Sequence, residues 1–394
     1  MIKGLETKVV IVGGGPAGLY CAYLIKRFNP QIYVTLIESD KEIGVPVTCT
    51  GHVSIVGLKK LKLTPFLDID KLVVNRIRGA RVHGSNKAEL EFRTKKFQTV
   101  VLNREIFDKE IEKLARNVGI EILLEHQVVE VKEDSIAVNI LAENRLIYLD
   151  YSYLIGADGP NSIVRNSFFE KPTTDDFITT YQVTANGDFT KDLVDIYFGE
   201  FSKSFFGWVV PESATVARIG IGVPLGKNPR IAFDQFLEKK NLKITNLKFN
   251  TAGVIPIAKP MNSYIEKNKL LIGDAACFVK ATSGGGLIFG LASAECAAKA
   301  ITERLKNFKD VKSYNKHLRS YIMELNIHYK LHKYINKQTN FEFDNLLLKL
   351  KDAGIEEFLN SNGNIDYPSE FIPKLIFYPK FLLFYNEIIN IIKS

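Results

Sequence analysis

Gly13, Gly15 and Gly18, followed by an acid at Glu38, have the types and spacing that hold a dinucleotide. Gly13 would make a tight turn, Gly15 would let the backbone approach a pyrophosphate, and Gly18 would let a helix pack closely on a strand. Pro16 and Ala17 open that helix, whose N-terminal N–H groups and dipole favour phosphate. Glu38 stands roughly 20 residues past the last glycine, where an acid accepts from ribose hydroxyls. An acid there favours an adenosine ribose without a 2′-phosphate. The elements needed to position these groups are all legible: a strand from Val9 to Val12, an apolar helical stretch through Phe28, and a second strand from Tyr33 to Ile37.

A second constellation lies far downstream. Leu270, Leu271 and Ile272 run into Gly273, Asp274, Ala275 and Ala276, then Ser283, Gly284, Gly285 and Gly286 precede a helical run to Arg304. This is again a buried strand ending in an acid, followed by a glycine-opened helix. Asp274 is placed to accept from ribityl hydroxyls, and the N–H groups around Gly285 and Gly286 could face a pyrophosphate or a flavin ring. Between the two lies a third piece, Leu154 to Gly156, Ala157, Asp158, Gly159, Pro160, Asn161 and Ser162, then Val164 and Arg165.

These three motifs in this order, with Asn103, Arg104 and Phe107 heading a helix before the middle one, resemble the flavoproteins that include p-hydroxybenzoate hydroxylase and the geranylgeranyl reductases. The resemblance covers roughly residues 8 to 305. It implies bound FAD, with contacts from Gly13, Gly15, Pro16, Ala17, Gly18, Glu38 and Cys49. It also implies contacts from Arg104, Val128, Asp158, Gly159, Asp274, Gly285, Gly286 and Leu287. Hydroxylases of this fold follow the Gly-Asp pair with His and a Pro-containing segment; here Cys277 to Ser283 precede three glycines, as in the geranylgeranyl reductases. The Gly44 to Gly51 loop carries Cys49 where those reductases carry a cysteine, and Phe206, Gly207, Trp208 and Pro211 match their substrate-domain strand. The match departs at Phe206 and Val210, where the family pattern has Tyr and Phe.

The resemblance implies saturation of C=C bonds in geranylgeranyl chains, on archaeal-type ether lipids, by hydride from reduced flavin plus a proton. An aromatic monooxygenase on the same fold is the alternative. Isolated prenyl alkenes are poor hydride acceptors, so a proton source must lie within reach. Cys49 is the candidate by position, although a thiol near its ordinary pKa of about 8.5 is a weak acid toward an alkene. Its role could instead be steric or could tune the flavin. His52 could relay a proton, or be a loop histidine. Tyr181 and Tyr197 fall on substrate-domain strands, where either hydroxyl could face the cavity. Trp208, the sole tryptophan, reads as a cavity wall or as core. Lys280 could hold a phosphate headgroup, oppose an anionic reduced flavin, or be a solvated loop lysine.

The expected fold is α/β: a Rossmann-type FAD-binding domain with an inserted antiparallel β-sheet substrate domain and a helical C-terminal region. The FAD-binding domain takes residues 1–75, 98–172 and 259–308, the substrate domain 76–97 and 173–258, and the helical region 309–394. With 46% hydrophobic residues the chain can bury a full core. Cys21, Cys49, Cys277 and Cys296 show no CxxC spacing, which argues against a metal cluster. No apolar run is long enough to span a bilayer and no signal peptide is legible, so a cytoplasmic protein is expected. The formal charge of +8 is spread over lysine-rich helices without a nucleic-acid motif. The absence of a second nucleotide motif leaves the external electron donor open among a ferredoxin, a deazaflavin and a nicotinamide. The stretch Ile372 to Ile392 is apolar, aromatic and flanked by lysines. It could touch a membrane peripherally, close over a prenyl tunnel, or pack on the enzyme's own core, and Pro379 would divide it.

Overall fold

The computed structural model describes residues 7–307, 309–378 and 384. The strand Lys8–Val12 has Val9, Val10, Ile11 and Val12 buried, as a strand covered on both faces requires. It forms the middle of a six-stranded sheet in the spatial order Ile265–Glu266, Lys269–Leu271, Tyr153–Gly156, Lys8–Val12, Tyr33–Ile37 and Glu121–Leu123. All neighbours are parallel except the first pair. Parallel pairing needs crossovers, and the helix Pro16–Phe28 supplies the first; it packs against the helix Leu287–Asn307. The two glycine-opened helices therefore lie side by side, which brings the far-downstream motif onto the N-terminal one.

A seven-stranded sheet forms the second layer, in the order Thr245–Pro256, Phe177–Asn186, Val216–Pro224, Gly207–Pro211, Leu193–Tyr197, Gly79–His83 and Glu89–Arg93. It is antiparallel apart from one pair, Leu193–Tyr197 with Gly79–His83. That pair departs from the all-antiparallel expectation because the strand Gly79–His83 arrives from a distant part of the chain and not through a hairpin with its neighbour. The helix Pro229–Lys239, with Asn228 capping it through Arg230 N–H and Ile231 N–H, covers one face. Phe233 and Phe236 there pack on Val183, Ile219 and Ile221. The opposite face presents Ile178, Val194, Phe206, Trp208 and Val210 toward the first layer.

Two smaller sheets are present among the described residues. His52–Ser54, Thr99–Leu102 and Val73–Ile77 form one, next to the Cys49 loop. His126–Val131, Ser135–Ile140 and Arg145–Asp150 form a meander. In the helical C-terminal region, Ser313–Lys337 packs on Leu287–Asn307, while Asn340–Asp352 and Ile355–Asn362 cover the edge strand Glu89–Arg93. Covering this edge removes an exposed template for pairing. The chain from Ile372 to Phe377 makes a short 3-10 helix, and Phe384 is buried with Phe343 and Phe358. Residues 379–383 and 385–394 of the apolar C-terminal stretch lie outside the described residues. No described helix is long and apolar enough to cross a membrane.

Candidate active site

The turn Gly13–Gly15 is shaped by close backbone contacts. Gly13 has φ +107°, and a Cβ there would overlap the Ala157 carbonyl oxygen; a Cβ on Gly18 would overlap the Gly13 carbonyl oxygen. Around Gly15, by contrast, a Cβ would meet nothing within 4 Å. Space is thus held open at Gly15, on the cavity wall. Gly15 is also the N-cap of Pro16–Phe28, with Pro16 in the first turn and no acid there to oppose the helix dipole. Glu38 closes the far side: its Oε2 accepts from Gly14 N–H at 2.5 Å and its Oε1 from Ser39 and Asp40.

From this cradle a cavity of about 610 Å³ runs between the two main sheets. Its walls include Gly15, Pro16, Ala17 and Glu38 at one end, then Gly159, Asp274, Gly286 and Leu287, then Cys49, His52 and Arg104. Beyond these it is apolar, with Phe205, Phe206, Trp208, Val210, Val194 and Ile196, and it reaches Leu359, Ile365 and Phe371 of the C-terminal region. The residues fit an elongated FAD. An open glycine cradle would face the phosphates, and Asp274 would offer a carboxylate to ribityl hydroxyls. Enclosure pushes the Asp274 carboxyl up to about 6, with the Arg104 guanidinium pulling the other way.

The loop carrying Cys49 is braced on both sides. Gly51, at φ +66°, donates its N–H to Cys49 Sγ at 3.3 Å, and the Arg104 side chain contacts the same sulfur. Arg104 is itself held by Asp108 through bonds of 3.1 and 3.0 Å. From the second layer, Arg218 donates to the Thr50 carbonyl at 2.7 Å and to the Leu102 carbonyl at 3.2 Å, while Glu212 accepts from its Nε at 2.6 Å. The sulfur therefore serves as an acceptor for neighbouring donors, and Cys49 lines the cavity. His52 lies on the wall with Nε2 at 2.6 Å from Thr99 Oγ1. Burial, and then the nearby Lys280 charge, push its pKa down to about 4 against the pull of Asp366. The imidazole is neutral at pH 7 and is no reservoir of protons there. Trp208 lines the cavity and donates Nε1–H to Gln182 Oε1 at 3.2 Å.

Several residues singled out in the sequence stand elsewhere. Tyr181 packs edge-to-face on Phe233 and Tyr197 stacks on His83 at 4.2 Å, both on the helix-covered face of the seven-stranded sheet. The strand alternation gives their cavity-side positions to Thr180, Gln182 and Ile196. Asp158 turns away to accept from Ser162 Oγ at 2.5 Å and Ile163 N–H at 2.7 Å, capping the helix Ile163–Phe168 and leaving Gly159 on the wall. Val128 is buried in the core opposite Val138, and Gly285 bridges to Lys280, so neither is part of the wall. Lys280 is not a solvated or free cation: it is 6% exposed and paired with Asp366 at 2.5 Å. Asp366, Arg218, Gln182 and Thr180 carry no sequence signal, since each acts through a partner distant in the chain. Among the described residues no cluster of side chains could hold a metal ion.

A family profile described as an FAD binding domain matches residues 6–317. Over 363 residues the chain is 29% identical to digeranylgeranylglycerophospholipid reductase 1 of Methanosphaera stadtmanae, covering 86% of this chain and 82% of that protein. It is 27% identical over 363 residues to digeranylgeranylglycerophospholipid reductase of Methanocaldococcus jannaschii, covering 88% and 90%. Among solved structures, a geranylgeranyl bacteriochlorophyll reductase-like protein from Thermoplasma acidophilum superposes with a TM-score of 0.80 at 20% identity, covering 97% of this chain and all of that one. A flavin-dependent brominase superposes with a TM-score of 0.67 at 18% identity, covering 97% and 98%. At such identities the superpositions speak to fold alone. The chain belongs to the FAD-binding-domain family of flavoproteins, and it is an FAD-dependent oxidoreductase.

Proposed function

We propose that this enzyme saturates C=C bonds of geranylgeranyl chains carried on archaeal-type ether lipids. The observation that carries the reading is the continuity of one cavity, from the dinucleotide cradle past Cys49 to an apolar chamber walled by Phe205, Phe206, Trp208 and Ile196. The names of the relatives above point the same way. An extended hydrocarbon fits such a chamber because its burial is worth roughly 0.8 kcal/mol per CH₂. Bound FAD, once reduced, supplies the hydride for an alkene carbon.

The chain's own residues do the rest. The Gly13–Gly18 turn, Glu38 and Asp274 hold the cofactor. The aromatic wall excludes water and holds the chain in place. Cys49 presents its S–H into the cavity as the proton for the second alkene carbon, with Arg104, Gly51 and Arg218 fixing the loop that carries it. Reducing equivalents come from a ferredoxin, a deazaflavin or a nicotinamide, and peripheral contact with a membrane would deliver the lipid.

The test is anaerobic. Dithionite-reduced enzyme is mixed with a geranylgeranylated glycerophospholipid in detergent, and flavin reoxidation is followed together with lipid mass. Reoxidation with a gain of two hydrogens per bond is the expected outcome. A flavin that stays reduced beside unchanged lipid rules the substrate out.

A further inference from the structure

The most enclosed ion pair among the described residues stands behind the cavity wall and is used by none of the steps above. Lys280 follows the Gly273–Ala276 turn, and its ammonium lies 2.5 Å from Asp366 Oδ1, with the two side chains 8% and 1% exposed. Asp366 comes from the C-terminal region, yet it is received by a socket made of N-terminal parts. Ser54 Oγ donates to its Oδ2 while accepting from Gly57 N–H at 2.7 Å. Position 57 must be glycine, because a Cβ there would overlap Asp366 Oδ2. Behind the pair, His328 Nε2 lies 3.3 Å from the Asp366 carbonyl oxygen and its Nδ1 lies 2.7 Å from Thr282 Oγ1.

Lys280 is also folded against the glycine turn. Its carbonyl accepts from Ser283 N–H and Gly284 N–H at 3.1 and 2.8 Å, and its N–H donates to the Gly285 carbonyl at 3.3 Å. A Cβ on Gly285 would lie 2.8 Å from Lys280 Cε and 3.2 Å from its Nζ. Ser283, Gly284 and Gly286, on either side of that contact, line the cavity. A buried cation thus stands directly behind the glycine wall, and among the described residues its anionic partner, Asp366, arrives from a segment more than 80 residues away in sequence. Both charges bear on the cavity wall: the Lys280 ammonium pushes the His52 pKa down and the Asp366 carboxylate pulls it back up.

We propose that Asp366 sets the reduction potential of the bound flavin by neutralising Lys280 behind the glycine turn, which makes the C-terminal region an electrostatic part of the cofactor site. The physical reason is direct. Two-electron reduction adds electron density to the flavin, and an uncompensated positive charge in an enclosed, poorly screened place favours the electron-rich form. Pairing with Asp366 cancels that pull and keeps the reduced cofactor a stronger hydride donor. Asp366 is a positioning residue in this account, since it acts through Lys280. The inference depends on FAD binding alone, so it stands or falls separately from the prenyl substrate.

The experiment is a spectroscopic redox titration of FAD-loaded protein against reference dyes, at pH 6, on wild type, Asp366→Asn, Lys280→Met and the double variant. The expected midpoint potential of Asp366→Asn is more positive than wild type at pH 6. Lys280→Met falls at or below wild type, and the double variant returns close to it. A role confined to holding the fold would lower the melting temperature of all three variants without this order of potentials. If Asp366→Asn does not retain FAD, Lys280→Met and the double variant carry the comparison. Equal potentials across the FAD-loaded proteins at pH 6, or a double variant displaced as far as Asp366→Asn, overturn the proposal.

Discussion

The cofactor cradle and the apolar chamber are two ends of one cavity, built by opposite means. The cradle is backbone: Gly13, Gly15 and Gly18 work by lacking side chains, and its donors are N–H groups at the start of Pro16–Phe28. The chamber is side chains: Phe206 and Trp208 from the seven-stranded sheet, Cys49 from a loop, Ile365 and Phe371 from the C-terminal region. A backbone site can be written in one short stretch of sequence. A side-chain site needs several distant segments to converge, and Arg218 reaching across to the Thr50 carbonyl illustrates the bracing this takes.

The sharpest way to separate the two is to fill the cradle without moving the chamber. A Cβ at Gly15 would meet no protein atom within 4 Å, so Gly15→Val apoprotein should fold and melt as wild type does. Its FAD affinity should fall by at least about two orders of magnitude, because charge-assisted hydrogen bonds of roughly 1.5–3 kcal/mol each are blocked. Gly13→Val, overlapping the Ala157 carbonyl at φ +107°, should lose FAD and folding together. Absorbance ratios and thermal melts on both variants check this pair. Full FAD occupancy in Gly15→Val would remove the cradle from the account.

In the chamber the order of effects should reverse. Cys49→Ala should keep FAD and lower turnover on the geranylgeranylated lipid by about 10²-fold, the lower end of what a positioned acid contributes. KM should move little. A proportional rise in KM with unchanged kcat would assign Cys49 to binding instead.

Asp274 belongs to the cradle by role but to the chamber by enclosure, and pH can tell which dominates. Its carboxyl is raised from 3.8 to about 6 in the folded chain. Below the unfolded value both states are protonated and the group is neutral for stability. As pH rises from 3.8 to about 6 the unfolded chain gives up this proton while the folded apoprotein still holds it, so stability falls across that window and then levels off. Asp274→Asn apoprotein should therefore melt higher than wild-type apoprotein at pH 7 and equal to it near pH 3. The same variant should bind FAD more weakly. Equal melting at pH 7 would mean that Arg104 fully offsets the enclosure.

The smallest effect is expected on the far side of the sheet. Tyr181→Phe should leave FAD content and lipid reduction within about twofold of wild type, since the ring packs under Phe233 and not in the cavity. A larger loss would mean that the outer face communicates with the chamber.

The sequence located the strand, turn and helix from Val9 to Phe28, the acids Glu38 and Asp274, and the Cys49 loop, because each is encoded by neighbours a few residues apart. Strand alternation shows that residues 180 and 182 share one face and 181 the other. Nothing local says which face meets the flavin side, and the register with Val216–Pro224 decided that Thr180 and Gln182 do. The roles of Asp158 as a helix cap, of Lys280 as half of a buried pair, and of Asp366 as its partner were likewise decided only by the tertiary structure. A hydrogen bond or ion pair depends on where two chains of atoms meet in space, and separations such as that between Lys280 and Asp366 leave no period or motif in the sequence to read.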